Sequence, residues 1–208
     1  MSKPKLHLLS SSLFVIILTC LVMGCDNDDE SSGDFYPLAP RTELYKRYIF
    51  HPLNNEYDPW DTIALSVRGD SLVQGRSYAV LSYSNGMKRL VRAQGPQYYA
   101  RNVLPTSDIV GDEFMFLDTR LPVGASWTST DKVMGRTMKF TVIEKNFTTV
   151  LYDTKFEDVI VIEERYSRSP DESFVGYKYY QKGVGEILAQ LPSPYSYAYG
   201  DTKHLIIQ

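Results

Sequence analysis

Past Pro40 the chain never sustains a helical hydrophobic period with capping residues. Instead, apolar runs of four to eight residues recur between clusters of Gly, Pro, Asn and Asp. That pattern restricts the body to short extended segments joined by turns. Sixteen tyrosines and an aromatic content of 13% point the same way, because aromatic side chains suit a pleated, half-buried surface. Strands are expected near residues 43–50, 62–68, 76–83, 87–93, 98–103 and 113–117. Six more are expected near 137–144, 148–153, 158–166, 174–181, 185–190 and 204–207. Asn85-Gly86 predicts a hairpin with a two-residue loop, since both residues accept positive φ. Val159-Ile160-Val161-Ile162 is apolar on both faces and predicts a central strand covered on both sides. Successive strands pair most simply with their sequence neighbours. The expected fold class is therefore all-β, an antiparallel meander forming a barrel, half-barrel or sandwich, preceded by a cleaved signal-peptide helix.

The first 24 residues have a different character. Lys3 and Lys5 precede the apolar run Leu13 to Met23, which has signal-peptide length and is too short to span a bilayer as a stable helix. Without Lys3 and Lys5 the formal charge of -3 becomes -5, and Asp26, Asp28, Asp29, Glu30 and Asp34 account for all of it. The body is then electrically balanced. With no block of Lys and Arg it carries no footprint for nucleic acid. Cleavage at residue 24 would leave Cys25 as the only cysteine, so the mature chain could form no internal disulfide.

Val22-Met23-Gly24-Cys25 resembles a bacterial lipobox. The resemblance implies that the Cys25 thiol is diacylglyceryl-modified and the leader cut before it. The membrane would be the first partner, since stable anchoring takes two or more acyl chains. The acids Asp26, Asp28, Asp29 and Glu30 are similar to the export signal of Bacteroidota-type surface lipoproteins. This implies an outer-membrane location facing the cell exterior; a solvated spacer would have the same composition. Residues 1–24, 25–34 and 35–208 divide accordingly into leader, lipidated tether and one β domain. Within the body, Asp70 to Tyr78, Leu121-Pro122-Val123-Gly124-Ala125-Ser126-Trp127 and Tyr179-Tyr180-Gln181-Lys182-Gly183-Val184-Gly185 resemble motifs of a family of uncharacterised β-rich bacterial lipoproteins. That resemblance implies an antiparallel β fold and no particular activity. Taken physically, Gly183 and Gly185 predict a tight turn, and Gly124 a turn that drops Trp127 onto the sheet.

The search for chemistry yields no catalytic set. His51 and His204 lack metal-ligand spacing, no serine elbow occurs, and neither metal nor cofactor is implied. Asp112 with Glu113, Glu157 with Asp158, Glu163 with Glu164 and Asp171 with Glu172 are adjacent acids. On a strand such neighbours point to opposite faces, so neither pair member can join the other across one substrate. A binding role is therefore expected over catalysis. Tyr195, Tyr197 and Tyr199 alternate and, in an extended segment, present three rings on one face toward a glycan, a peptide or an outer-membrane protein partner. The same alternation would serve equally to fill a sheet face. Asp61-Thr62-Ile63 and Asp70-Ser71-Leu72 resemble an O-glycosylation acceptor of exported Bacteroidota-type proteins, which would modify Thr62 and Ser71. Two alternatives remain open at this point: a carboxylate-dependent glycan hydrolase, and an envelope factor holding a lipid in a barrel cavity.

Overall fold

The computed structural model describes residues 35–51, 56–104, 107, 109–133, 135–151, 153–169, 172–192 and 200–206. They belong to one compact unit, Gly33–Gln208. Twelve antiparallel strands form a single sheet: β1 (Arg41–His51), β2 (Glu56–Val73), β3 (Arg76–Tyr83), β4 (Lys88–Gln94), β5 (Gln97–Val103), β6 (Phe114–Asp118), β7 (Ser126–Asp131), β8 (Arg136–Leu151), β9 (Thr154–Ser169), β10 (Glu172–Gln181), β11 (Gly185–Pro192) and β12 (Gly200–Ile206). Their spatial order is β6-β5-β4-β3-β2-β1-β12-β11-β10-β9-β8-β7. Every neighbour is a sequence neighbour except β1 and β12, which pair in the middle. The expected all-β meander is present as a half-barrel.

Curling brings the edge strands β6 and β7 toward each other, and side chains stitch them. The Trp127 indole N–H donates to the Met115 carbonyl at 2.9 Å. The Asp131 carboxylate accepts the Asp112 amide at 3.1 Å, and the Asp112 carboxylate accepts the Lys132 amide at 2.8 Å. These bonds occupy edge groups that would otherwise template pairing with another chain.

The concave face carries the core. Tyr45, Leu65, Val67, Leu81, Val91, Ala100, Phe116, Phe140, Ile162 and Tyr180 are all buried there, each large side chain contributing about 1.5–3 kcal/mol by leaving water. The segment entering β1 completes it. Tyr36 inserts its ring among Phe116 at 5.5 Å, Tyr180 at 6.1 Å and Tyr98 at 6.4 Å. The Phe35 amide donates to the Tyr98 hydroxyl at 3.0 Å. Val159 to Ile162 is buried throughout, so the strand expected to be covered on both faces is so.

Three local expectations need correction. Asn85-Gly86 does not form a two-residue loop. Tyr83 and Met87 bond across Ser84-Asn85-Gly86, and of these only Gly86 has positive φ (87°). A type I turn followed by a left-handed Gly closes the three-residue loop. The two-residue loop with positive φ at both positions is instead Gln74 (51°) and Gly75 (75°), between paired Val73 and Arg76. The strands expected at 137–144 and 148–153 are one strand, β8, in which Asn146 takes φ 54° and the register to β9 shifts. The short strand β7 was not anticipated. The other glycine expectations hold: Gly183 and Gly185 have φ 78° and 109° in the β10–β11 turn, and Trp127 stacks on Phe140 at 5.3 Å just after Gly124 (φ 86°).

Candidate functional site

Where β1 meets β2 the register slips. Lys46 pairs with Thr62 and Tyr48 with Pro59, so two residues, Trp60 and Asp61, stand opposite one, Arg47. Pro59 offers no amide hydrogen to the ladder, and a bulge beside it lets the strand continue while re-aiming the next side chain. Arg47 lies two residues beyond buried Tyr45 and Asp61 two residues before buried Ile63. By the two-residue period of a strand, both continue the concave row past the packed core to its rim. There the Arg47 guanidinium sits 5.8 Å from the Trp60 ring centroid and 3.4 Å from the Asp61 carboxylate. Trp60 remains 63% exposed. An indole held open to water beside a guanidinium and a carboxylate forms a flat apolar platform with hydrogen-bonding groups at its margin.

The same end of the sheet receives the connection between β11 and β12. Ile49 pairs with Asp201 and Pro192 with Gly200, so that connection leaves and rejoins the sheet beside the far end of β1. It carries Tyr195, Tyr197 and Tyr199, which lie outside the described residues, as do Cys25, Asp26, Asp28, Asp29 and Glu30. Thr62 is exposed on β2, two residues from Trp60, whereas Ser71 is half-buried near the β2–β3 turn, where it pairs with Tyr78. The adjacent tyrosines Tyr98-Tyr99 and Tyr179-Tyr180 split as alternation requires. Tyr98 and Tyr180 are buried in the core, while Tyr99 and Tyr179 are only half-buried on the other face.

The acid pairs also separate. Glu163 stands near Arg165 and Tyr177 on the convex face, while Glu164 is 1% exposed within the core. Glu157 is exposed and paired with Lys155, and Asp158 takes φ 54° at a bulge. Asp112 joins the β6–β7 seam. Glu113 anchors a convex-face network instead: its carboxylate accepts Arg92 Nε at 2.7 Å, Arg92 Nη2 at 2.9 Å, Arg76 Nη1 at 2.6 Å and the Tyr78 hydroxyl. Arg92 in turn covers the Tyr99 ring at 4.2 Å. The Arg92 hydrogen bonds, opposed by burial and joined by Tyr78 and Arg76, hold the Glu113 carboxyl down to about 2. Asp171 and the Glu172 side chain lie outside the described residues, as do the side chains of His51 and His204.

The acids that do converge come from different strands. Glu164 on β9 and Glu186 on β11 flank Lys178 on β10, with Nζ 2.9 Å from Glu164 Oε1 and 3.9 Å from Glu186 Oε2. Tyr166 donates its hydroxyl to the other Glu164 oxygen. Arg89, also buried, stands over Phe116 at 4.7 Å and Phe114 at 5.4 Å. Burial holds the Tyr36, Tyr45, Tyr166 and Tyr180 hydroxyls above the ordinary phenol range, so all four stay neutral around these charges. Sequence reasoning missed both the rim and this interior group. Among the described residues no three His, Cys, Asp or Glu side chains are placed to hold a metal ion.

No protein-family model and no curated protein matches the chain. Among solved structures it is similar to a protein from Parabacteroides distasonis provisionally described as a lipoprotein. The two share 12% identity and a TM-score of 0.42, over 82% of this chain and 96% of the other.

Proposed function

We propose that the chain is a lipid-anchored protein of the outer membrane, held through acylated Cys25 and turned to the cell exterior by Asp26, Asp28, Asp29 and Glu30. In this reading its β domain is a binding or accessory module that captures a ligand without transforming it. The observation that carries the binding role is Trp60, two-thirds exposed yet fixed by a bulge beside Arg47 and Asp61. Exposing an indole forfeits the gain from burying it, so a fold that holds one open gains nothing in stability. A glycan suits the platform best. The apolar face of a sugar ring stacks on Trp60, while its hydroxyls meet Asp61 and Arg47.

Two features favour binding at this rim over the alternatives. The acids that converge, Glu164 and Glu186, are buried at 1% and 4% exposure, and a hydrolase would need them open to a sugar chain. A lipid carrier would want an apolar lumen, whereas Arg89, Lys178, Glu164 and Glu186 all lie in the interior. Strand β1 begins at Arg41, and Arg47 is six residues further along it. At about 3.4 Å per residue the rim lies roughly 20 Å along β1 from the end at which that strand begins.

The test is a glycan array probed with the full chain in detergent, wild type against Trp60→Ala. Wild type should bind a subset of neutral oligosaccharides, and Trp60→Ala should lose at least about 10-fold in affinity, as truncation of a hot-spot Trp does. Binding that ignores Trp60→Ala, or no glycan binding at all, rejects the reading.

A further inference from the structure

The Lys178 group is an ion pair held in the interior. Its side chain is 7% exposed, and Glu164 and Glu186 are 2% and 4% exposed. A buried ammonium persists when its three protons find well-directed acceptors. Here Nζ approaches Glu164 Oε1 to 2.9 Å, and this oxygen takes no directed hydrogen bond. Glu186 Oε2, at 3.9 Å, is beyond hydrogen-bond reach. The topology brings amine and acid together on one face. Lys178 pairs with Ile162, and Glu164 is the next residue of β9 on the same side. Gly176, directly opposite Glu164, has no side chain to stand between them.

We propose that Lys178 and Glu164 become joined by an intramolecular isopeptide bond, with Glu186 as the proton carrier. Lys178 first yields one ammonium proton to the Glu164 carboxylate. The amine lone pair then forms a bond to Glu164 Cδ. The Glu186 carboxylate takes the proton released from nitrogen and delivers it to the departing Glu164 hydroxyl. The C–O bond breaks and one water leaves. Ammonium plus carboxylate become amide plus water, no electron is transferred, and Glu186 ends as it began. The Tyr166 hydroxyl, already bonded to the second Glu164 oxygen, stays on the amide carbonyl. The product cross-links β9 to β10 beneath the Tyr36 ring cluster and replaces two buried charges with a neutral group. This site is independent of the Trp60 rim and of the anchor.

Peptide mapping of the denatured full chain tests the bond. Trypsin should release residues 156–165 and 169–182 as one branched peptide, uncut at Lys178 and lighter than its two parts by one water. Fragmentation should place the branch at Glu164 rather than Glu163. Lys178→Met should abolish the branched peptide. Glu186→Gln retains both partners and should slow its appearance at least tenfold in freshly refolded protein. Recovery of the two peptides free, with cleavage after Lys178, as the main species from wild type overturns the proposal whether or not either variant folds. A branched peptide that forms at an unchanged rate in Glu186→Gln overturns the role of Glu186.

Discussion

Glu113→Gln removes the charge that gathers Arg92, Arg76 and Tyr78 on the convex face while keeping the size of the side chain. The carboxyl sits at about 2 in the folded protein against an ordinary 4.5. At 1.36 kcal/mol per tenfold change, a fully shielded site would contribute roughly 3 kcal/mol. Arg76 is 56% exposed, so solvent screening reduces that to about 1–2 kcal/mol. The sign follows from the direction of the shift. A carboxyl depressed on folding contributes its full stability above about pH 4.5 and loses it as pH falls toward 2. Urea denaturation of wild type and Glu113→Gln at pH 7 should give midpoints separated by roughly 0.5–1 M, taking a slope of about 2 kcal/mol per molar. The separation should shrink as pH falls through that window and close near its lower end. Equal midpoints at pH 7 would show that the network is worth no more than solvent contacts. A constant separation down to pH 2 would show that the Gln side chain, not the lost charge, is responsible.

Three further perturbations probe the core, the seam and the anchor. Tyr36→Ala empties the centre of the four-ring cluster and should cost about 3–5 kcal/mol in chemical denaturation, whereas Tyr36→Phe keeps the ring and should cost far less. A Cβ added at Gly111 would lie 2.5 Å from buried Asp131 Oδ2, so Gly111→Ala should destabilise by about 1–3 kcal/mol. The accompanying loss of protection at the Asp112 amide should be visible by hydrogen exchange. Cys25→Ala should move the protein from the membrane to the soluble fraction with an unchanged circular dichroism spectrum; a variant that stays with the membrane removes the lipid anchor from the account.

How far the sequence discloses this molecule depends on which face carries the signal. Strands with large apolar residues on the concave side, such as Arg76–Tyr83 and Val159 to Ile162, are visible as apolar runs. Strand β7 is not, because Ser126-Trp127-Thr128-Ser129-Thr130-Asp131 holds one large apolar residue and stays largely exposed along the seam. Bulges deceive in the opposite sense. Asn146 and Asp58-Pro59-Trp60-Asp61 have the composition of turns, yet each lies within a long strand whose register shifts around it. Trp60, the residue on which the binding role rests, is hidden from pattern reasoning for that reason.

The interior charges are a different case, because a two-residue period already implied part of them. Glu163 and Glu164 adjoin in a strand whose preceding four residues are all apolar, so one of the two acids has to follow Ile160 and Ile162 into the core. Tyr177-Lys178-Tyr179-Tyr180 poses the same choice: the face that takes Tyr180 takes Lys178 with it. What alternation cannot supply is the pairing of β10 with β9 and β11, which sets Lys178 between Glu164 and Glu186 across strand separations of about 4.8 Å. That lateral register depends on the turns: Gly183 and Gly185 fix the short β10–β11 connection, and the bulge between Tyr179 and Tyr180 turns Glu186 inward opposite Tyr180. The sequence motif around Gly183 thus shapes more than a turn. By fixing where β11 lies against β10, it decides which acid stands beside the buried amine.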